Sequence, residues 1–485
     1  MQSSISSTKD HQENDCSTTM ASTQFAVMMV PFPGHGHLNV FLQLSCIISR
    51  YQIPVYYLSS AIHIRQAKAR INGLDPSDVA NIHFHDIPTP PFVSPPPNPN
   101  SSNKFPSQLQ PAFDATLQQR EPVGDYMKEL SSKYKRVIVI HDVVMAYVVQ
   151  DVALISNAES YALHCISAFS QATLVWEQMG VPFPIKFPKD LPSFKDRTTE
   201  EIMYFMSFQT EPIKFRSGDI YNTCRVMEAP FLDLLAKEDL VGDRKSWVVG
   251  PILPQKTLSS ALKSDTQHKC LKWLDKQERS SVIYVAFGST TTLSDEEIKE
   301  LALGLEQSKQ KFIWVLRDGD KGNIFDGGDI RQAGLPKGFE ERVEGRGIVL
   351  RDWAPQPQIL AHSSTGGYLT HCGWNSCIES IAMGVPMAAW PMHSEQPRNA
   401  LLITEILKIG IVVWEWGDRE QPVKAATIGN VIQRLMASEE GDEMRRRVQE
   451  LAAAVEQATA EGGVSRLELD SFIAHITRQG DMIPS

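Results

Sequence analysis

The stretch WAPQPQILAHSSTGGYLTHCGWNSCIESIAMGVPMAAWPMHSEQ, Trp353 to Gln396, contains a complete strand–turn–helix–strand unit. GGYLT is a short apolar run of strand length that ends at His371, Cys372 and Gly373. CIESIAMG reads as a helix closed by Gly384 ahead of Val385 and Pro386, and PMAAWP resumes the apolar pattern. In open parallel sheets, ligands bind beyond the carboxyl ends of the strands, so the turn HCGWNS lies where a site belongs. A helix start presents free N–H groups and partial positive charge, which favours phosphate. His371 on the same rim can add a donor, while Asn375 or Ser376 can equally be an ordinary helix cap.

The same alternation extends outward in both directions. Toward the N-terminus, FAVMMV precedes VFLQLSCIISRY, PVYYL precedes AIHIRQAKARI, and RVIVIHD precedes AYVVQDVALIS. SVIYVAFG, KFIWVLR and GIVLRDW continue it after an interruption between Trp247 and Gln267 that lacks sustained periodicity. Strand–helix repetition implies parallel sheets with helices on both faces, and 485 residues exceed one ordinary core. Two α/β halves joined by one linker follow. The segment Ile87 to Ser107 is too rich in proline for a helix or central strand and reads as an extended surface loop, either a disordered linker or, given Phe92 and Phe105, a border to a pocket.

Composition narrows the function class. With 42% apolar and 21% charged residues and a net charge of -10, the chain has the make-up of a soluble globular protein with no general affinity for nucleic acid or acidic membranes. Its seven cysteines are scattered and none falls in a CxxC pair, as in a reducing compartment. Residues 1–24 are polar, lack the apolar core of a signal peptide and read as a disordered tail. No apolar run approaches the roughly 20 residues of a membrane helix. The expected location is the cytoplasm.

The first strand ends in PFPGHGHLN, where His35 and His37 alternate with Gly34 and Gly36. Three chemistries compete for this loop. A His-x-His pair at a strand end can hold a metal in a hydrolase, but further ligands at a fixed spacing are missing. A dinucleotide-binding turn would need Gly-x-Gly-x-x-Gly, and Asn39 stands where the third glycine belongs. A single histidine can be a general base, with a carboxylate after a later strand, such as Asp142 in VIVIHD, to orient it.

Read whole, Trp353 to Gln396 resembles the signature box of plant UDP-sugar-dependent glycosyltransferases, and PFPGHGHLN, the linker and the chain end extend the likeness. The resemblance implies a GT-B fold, two Rossmann-like domains facing each other across a cleft. It sets an acceptor-binding domain at 25–247, a linker at 248–267, a donor domain at 268–465 and a last segment, 466–485, packed back on the first domain. It further implies that Trp353 stacks on uracil while the Ala354 backbone and Gln356 read the base edge. Glu379 would accept from the ribose, and His371, Asn375 and Ser376 would hold the diphosphate. Gly288 and Ser289 would form a second phosphate-side loop, and Trp374, Glu395 and Gln396 would contact the sugar. Gln396 points to glucose, with xylose as the alternative.

On the acceptor side the resemblance makes His37 the base and Asp142 its partner, for one inverting displacement without metal or other cofactor. His35 stands where a Gln is commoner and receives no role. IPVYYLSSAIHIRQA, IHFHDIPTPPFVSPPPNP and SGDIYNTCRVMEAP look like the zeatin O-glucosyltransferases, which act on cytokinins. That likeness implies a zeatin hydroxyl as acceptor, a flavonoid being the alternative, and a monomeric enzyme. Phe92, Phe169 and Trp176 are the expected acceptor-pocket aromatics. A catalytically dead sugar-nucleotide sensor is disfavoured because both His37 and Asp142 are present.

Overall fold

In the computed structural model the described residues are 24–478, apart from 71–73, 75, 102, 188, 238–241, 243, 255–267, 327–330 and 332–333. The expected tail and most of the expected linker lie outside them. Two all-parallel sheets organise the chain. The first is built from β1 (Phe25–Val30), β2 (Val55–Ser59), β3 (Ile82–Asp86), β4 (Arg136–Asp142), β5 (Ala158–His164), β6 (Gly218–Tyr221) and β7 (Lys245–Val248), in the order β3-β2-β1-β4-β5-β6-β7. The second contains β8 (Val282–Ala286), β9 (Lys311–Val315), β10 (Gly347–Leu350), β11 (Thr365–Thr370), β12 (Met387–Ala389) and β13 (Gly410–Val412), in the order β10-β9-β8-β11-β12-β13. In each sheet the order reverses beside the first strand, between β1 and β4 and between β8 and β11. Those two switch points are where a doubly wound sheet opens a crevice.

The central strands form because they are apolar throughout and covered on both faces. Ala26 to Met29 and Val137 to Ile140 are fully buried, as are Val282, Ile283 and Val285. β5, AESYALH, is an exception, buried despite two charged or titratable groups. Glu159 is met by Arg478 (2.7 Å), and His164 Nε2 lies 2.7 Å from Asp219, which also accepts from Arg216 (2.7 Å). A buried charge without such partners would cost several kcal/mol. The stretch AYVVQDVALIS is less regular than its periodicity predicts: a short α turn, Ala146–Val149, runs into a 3₁₀ segment, Gln150–Leu154.

Two expected boundaries shift. Residue 247 lies inside β7, so the first sheet continues through Val248. The last helix starts at Val464, before the expected boundary at 466, and lays Leu469, Phe472, Ile473 and Ile476 into the core of the first sheet. Phe472 packs against Tyr161 and Trp247 with ring centroids 5.3 and 5.2 Å apart. The chain therefore leaves the second domain and finishes on the first, tying the two together.

Side chains from both domains interlock along the seam. Trp374 Nε1 donates to the Asn222 carbonyl (2.9 Å), and Ser167 Oγ donates to Asn399 Oδ1 (2.7 Å). Arg197, fully buried, donates to the Ser394 carbonyl (2.5 Å), while Ser394 N–H donates back to the Arg197 carbonyl (3.0 Å). The proline-rich segment crosses the same seam, where Lys104 pairs with Glu297 at 2.8 Å.

Phe472→Ala is expected to destabilise the folded chain by about 3–5 kcal/mol. Denaturant unfolding checks this. A loss below 1 kcal/mol would mean that the last helix is only loosely docked.

Candidate active site

Two helix starts face each other across the seam. One belongs to the helix His35–Ser49 that follows β1, the other to the helix Trp374–Ala382 that follows β11. Each has a glycine at its N-cap, Gly34 and Gly373, and neither receives a side-chain cap. Asn375 and Ser376 are thus inside the helix and not its cap, and of the first turn's N–H groups that of Trp374 meets Glu395 while none receives a side chain from the N-cap. Asn375 Nδ2 donates to the Gly36 carbonyl (3.0 Å), and a Cβ at Gly36 would come within 2.9 Å of that nitrogen. A side chain at 36 would push the Asn375 amide from this position.

His371 lies at the centre of the second wall. It is buried, and burial lowers its pKa to about 4, so the ring is neutral. Its Nδ1 has no partner. Gly288 (φ +74°) and Gly373 both crowd its Nε2, where a Cβ would approach to 2.5 and 2.6 Å. Ser289, beside Gly288, accepts on its carbonyl from Asp320 N–H (2.7 Å), which holds this loop to the next. The wall thus combines a helix start without a side-chain cap with two buried, unpartnered atoms, His371 Nδ1 and Asn375 Oδ1.

The base wall is equally ordered. His37 Nδ1 lies 2.6 Å from Asp142 Oδ2, and Asp142 Oδ1 accepts from Val144 N–H (3.1 Å). Asp142 is fully buried, whereas the His37 side chain is 31% exposed. With Nδ1 taken by the carboxylate, the tautomer leaves Nε2 as acceptor. Burial works to lower the His37 pKa, but Asp142, by charge and hydrogen bond, and Glu395 across the seam outweigh it, and the pKa is raised. Phe32 packs edge-on against the imidazole at 5.2 Å, with Phe113 (4.4 Å) and Phe205 (5.9 Å) behind it. Such an arrangement can remove a proton from a hydroxyl held against an apolar wall.

His35 faces elsewhere. Its ring meets Trp353 edge-on at 4.6 Å, and burial, with Arg70 and Arg317, lowers its pKa to about 4. His35 and His37 therefore turn to different partners, Trp353 and Asp142. Among the described residues the one cluster of ligating type is His37, Asp142 and Cys165, with atoms within 4.8 Å of one another. Cys165 is nearly buried, and burial and Asp142 keep it a thiol. It was missed because a lone cysteine at a strand end carries no sequence signal.

Residues 23–254 match the family model described as "Glycosyltransferase, N-terminal domain". The chain is 53% identical to a zeatin O-glucosyltransferase of Phaseolus lunatus, over 94% of this chain and 98% of that one. This chain belongs to the plant UDP-glycosyltransferase family. The glycosyltransferase is also 52% identical to a zeatin O-xylosyltransferase of Phaseolus vulgaris, over 94% of this chain and 99% of the relative. A crystal structure of a UGT transferase from Siraitia grosvenorii in complex with UDP superposes with a TM-score of 0.74 at 27% identity, covering 94% of this chain and all of that one. The fold is GT-B.

Several expected roles in the glycosyltransferase need correction. Trp374 cannot offer its indole to a sugar: it is 2% exposed and its N–H is spent on Asn222. The Gln356 amide is also engaged. Its nitrogen donates to Ser376 Oγ (3.0 Å) and Glu379 Oε2 (2.8 Å), and its oxygen accepts from Tyr368 (3.0 Å) and Tyr284 (3.4 Å). Gln356 is a strut for Glu379, whose pKa burial raises to about 7 against that hydrogen bond. The Ala354 carbonyl accepts from Gln356 N–H (2.9 Å).

Trp353 sits on the seam with Arg70 at 4.4 Å and Arg317 at 5.5 Å from its ring. Arg70 and Arg317 both pair with buried Asp320, a cluster that spacing alone could not reveal. Glu395 faces His37 and the Trp374 N–H, and burial raises its pKa. Gln396 is buried behind it.

The acceptor-pocket expectation fails for two aromatics. Phe169 is fully buried between Phe187 (5.3 Å) and Phe231 (4.9 Å), and Trp176 packs on Phe183 at 5.5 Å. Both are buried residues of the helix Ala168–Met179, and Phe169 belongs to the core that this helix shares with the second sheet. Phe92 stacks on His63 (6.1 Å) and touches Gly322 of the opposite domain. Phe32 packs on the His37 imidazole at 5.2 Å, and Phe105 on that of His393 at 5.8 Å.

His37→Ala is expected to lower kcat by at least 10²-fold while UDP affinity by calorimetry stays within about threefold. His35→Ala should retain most of kcat, and equal loss in both would remove the distinction between them. A protonated His37 cannot act as base, so kcat/KM should fall as pH drops through a pKa above the ordinary 6.5. Asp142→Asn should move that acid limb to lower pH as well as slow the reaction. An unmoved limb would assign it to another group.

Proposed function

We propose that the enzyme transfers glucose from UDP-glucose to the side-chain hydroxyl of zeatin, a cytokinin, giving an O-β-glucoside with inversion at the anomeric carbon. The observation that carries the reading is the His37–Asp142 pair opening on the seam opposite an uncapped helix start. His37 Nε2 takes the acceptor proton as the hydroxyl oxygen bonds to the anomeric carbon. The bond from that carbon to the diphosphate oxygen breaks on the opposite side, and Asp142 stabilises the imidazolium.

Charge then develops on the leaving diphosphate. The N–H groups at Asn375 and Ser376, with His371 and the Gly288–Ser289 loop, receive it in this reading, and the step then needs no metal. Trp353 supplies the base platform, Glu379 the ribose acceptor, and Glu395 and Gln396 the sugar contacts. Phe32 and its neighbours give the planar purine an apolar wall. The enzyme acts as a monomer in the cytoplasm. Xylose is the second donor reading, favoured by the 52% identity to a protein named for xylose transfer.

A donor-by-acceptor matrix tests this. UDP-glucose and UDP-xylose are each offered with cis-zeatin, trans-zeatin, dihydrozeatin and a flavonoid, and products are identified by mass and anomeric coupling. A β-glucoside of a zeatin is expected. Absence of product with every cytokinin would overturn the acceptor, and an α-linked product the mechanism.

A further inference from the structure

Gln396 reaches the seam with little freedom left. Its Oε1 accepts from Met392 N–H (2.9 Å) and His393 N–H (3.1 Å), which uses both lone pairs. Its Nε2 lies 3.2 Å from His393 Nε2. The His393 ring is itself held: Nδ1 is 2.8 Å from Ser394 Oγ, Thr290 Oγ1 is 3.4 Å from Nε2, and Phe105 of the opposite domain meets the ring edge-on at 5.8 Å. Burial, with His371 nearby, lowers the His393 pKa to about 3, so the ring is neutral and one nitrogen must accept. If Nδ1–H donates to Ser394, Nε2 accepts one N–H of Gln396. The other N–H is then the single polar group that Gln396 can turn toward a sugar hydroxyl.

We propose that His393 is a positioning residue for donor-sugar recognition: its Nε2 fixes the Gln396 amide so that one N–H is presented to the sugar of the bound nucleotide. This rests on the reading of Gln396 as a sugar contact. Without an acceptor at 393, the Gln396 amide is held through its oxygen alone, and its nitrogen has more freedom to lose each time a sugar binds. UDP has no sugar at that position and is indifferent to the change.

Calorimetric affinities for UDP and UDP-glucose, measured for the wild type, His393→Phe and His393→Gln, test the proposal without requiring turnover. Phenylalanine keeps the flat shape and removes the acceptor, whereas glutamine restores one. UDP-glucose should bind about tenfold more weakly to His393→Phe, the scale of one hydrogen bond, with UDP unchanged. His393→Gln should recover most of the loss. Equal weakening of UDP and UDP-glucose would show a merely structural role, and unchanged UDP-glucose affinity, or no rescue by glutamine, would also overturn the proposal. Gln396→Ala in the same assay separates the two claims: no loss of UDP-glucose affinity there would refute the Gln396 reading itself.

Discussion

The hydrogen bond from Asn375 to the Gly36 carbonyl joins two helix starts that would otherwise repel. Each carries partial positive charge from its free N–H groups, and each follows a central parallel strand at a switch point. Poles of like sign held this close create a place for negative charge between them. The rest of the site follows from that constraint: carboxylates at Asp142 and Glu395, neutral histidines at His371 and His393, and glycines wherever a Cβ would close the gap.

Holding the poles together takes a seam of buried polar contacts. Arg398 is 2% exposed and is met by Glu177 and by the Pro192 carbonyl (3.1 Å). Arg197 grips the loop at Ser394, which leads directly into Glu395 and Gln396. Partners removed singly from such groups leave uncompensated charge, which is far costlier than replacing the whole set. The same contacts that close the two domains also fix the segment Ser394 to Gln396.

The two histidines of the first loop show how position in a fold separates identical side chains. His37, two residues into its helix, turns to Asp142 and has its pKa raised. His35, at the first turn, points across the seam at Trp353, among two arginines, and its pKa is lowered. One is held by a carboxylate and the other is an uncharged wedge against the Trp353 ring.

Much was legible in the chain alone. Apolar runs such as FAVMMV, RVIVIHD and SVIYVAFG determined parallel strands, because only strands covered on both faces are apolar at every position. The strands without that pattern escaped: IHFHD, AESYALH, GDIY, KSWV and GIV are short or carry charges that distant partners neutralise. The Trp353 to Gln396 spacing likewise determined a helix start at a strand end, and with it the anion-favouring pole. Tertiary structure alone decided which side chains face that pole. Trp374 and Phe169 turned inward, Gln356 became a strut, and Arg70, Cys165 and His393 joined the site from positions with no local signature. Periodicity reports which face of an element is covered, whereas the partner of a buried polar group is set by contacts hundreds of residues apart.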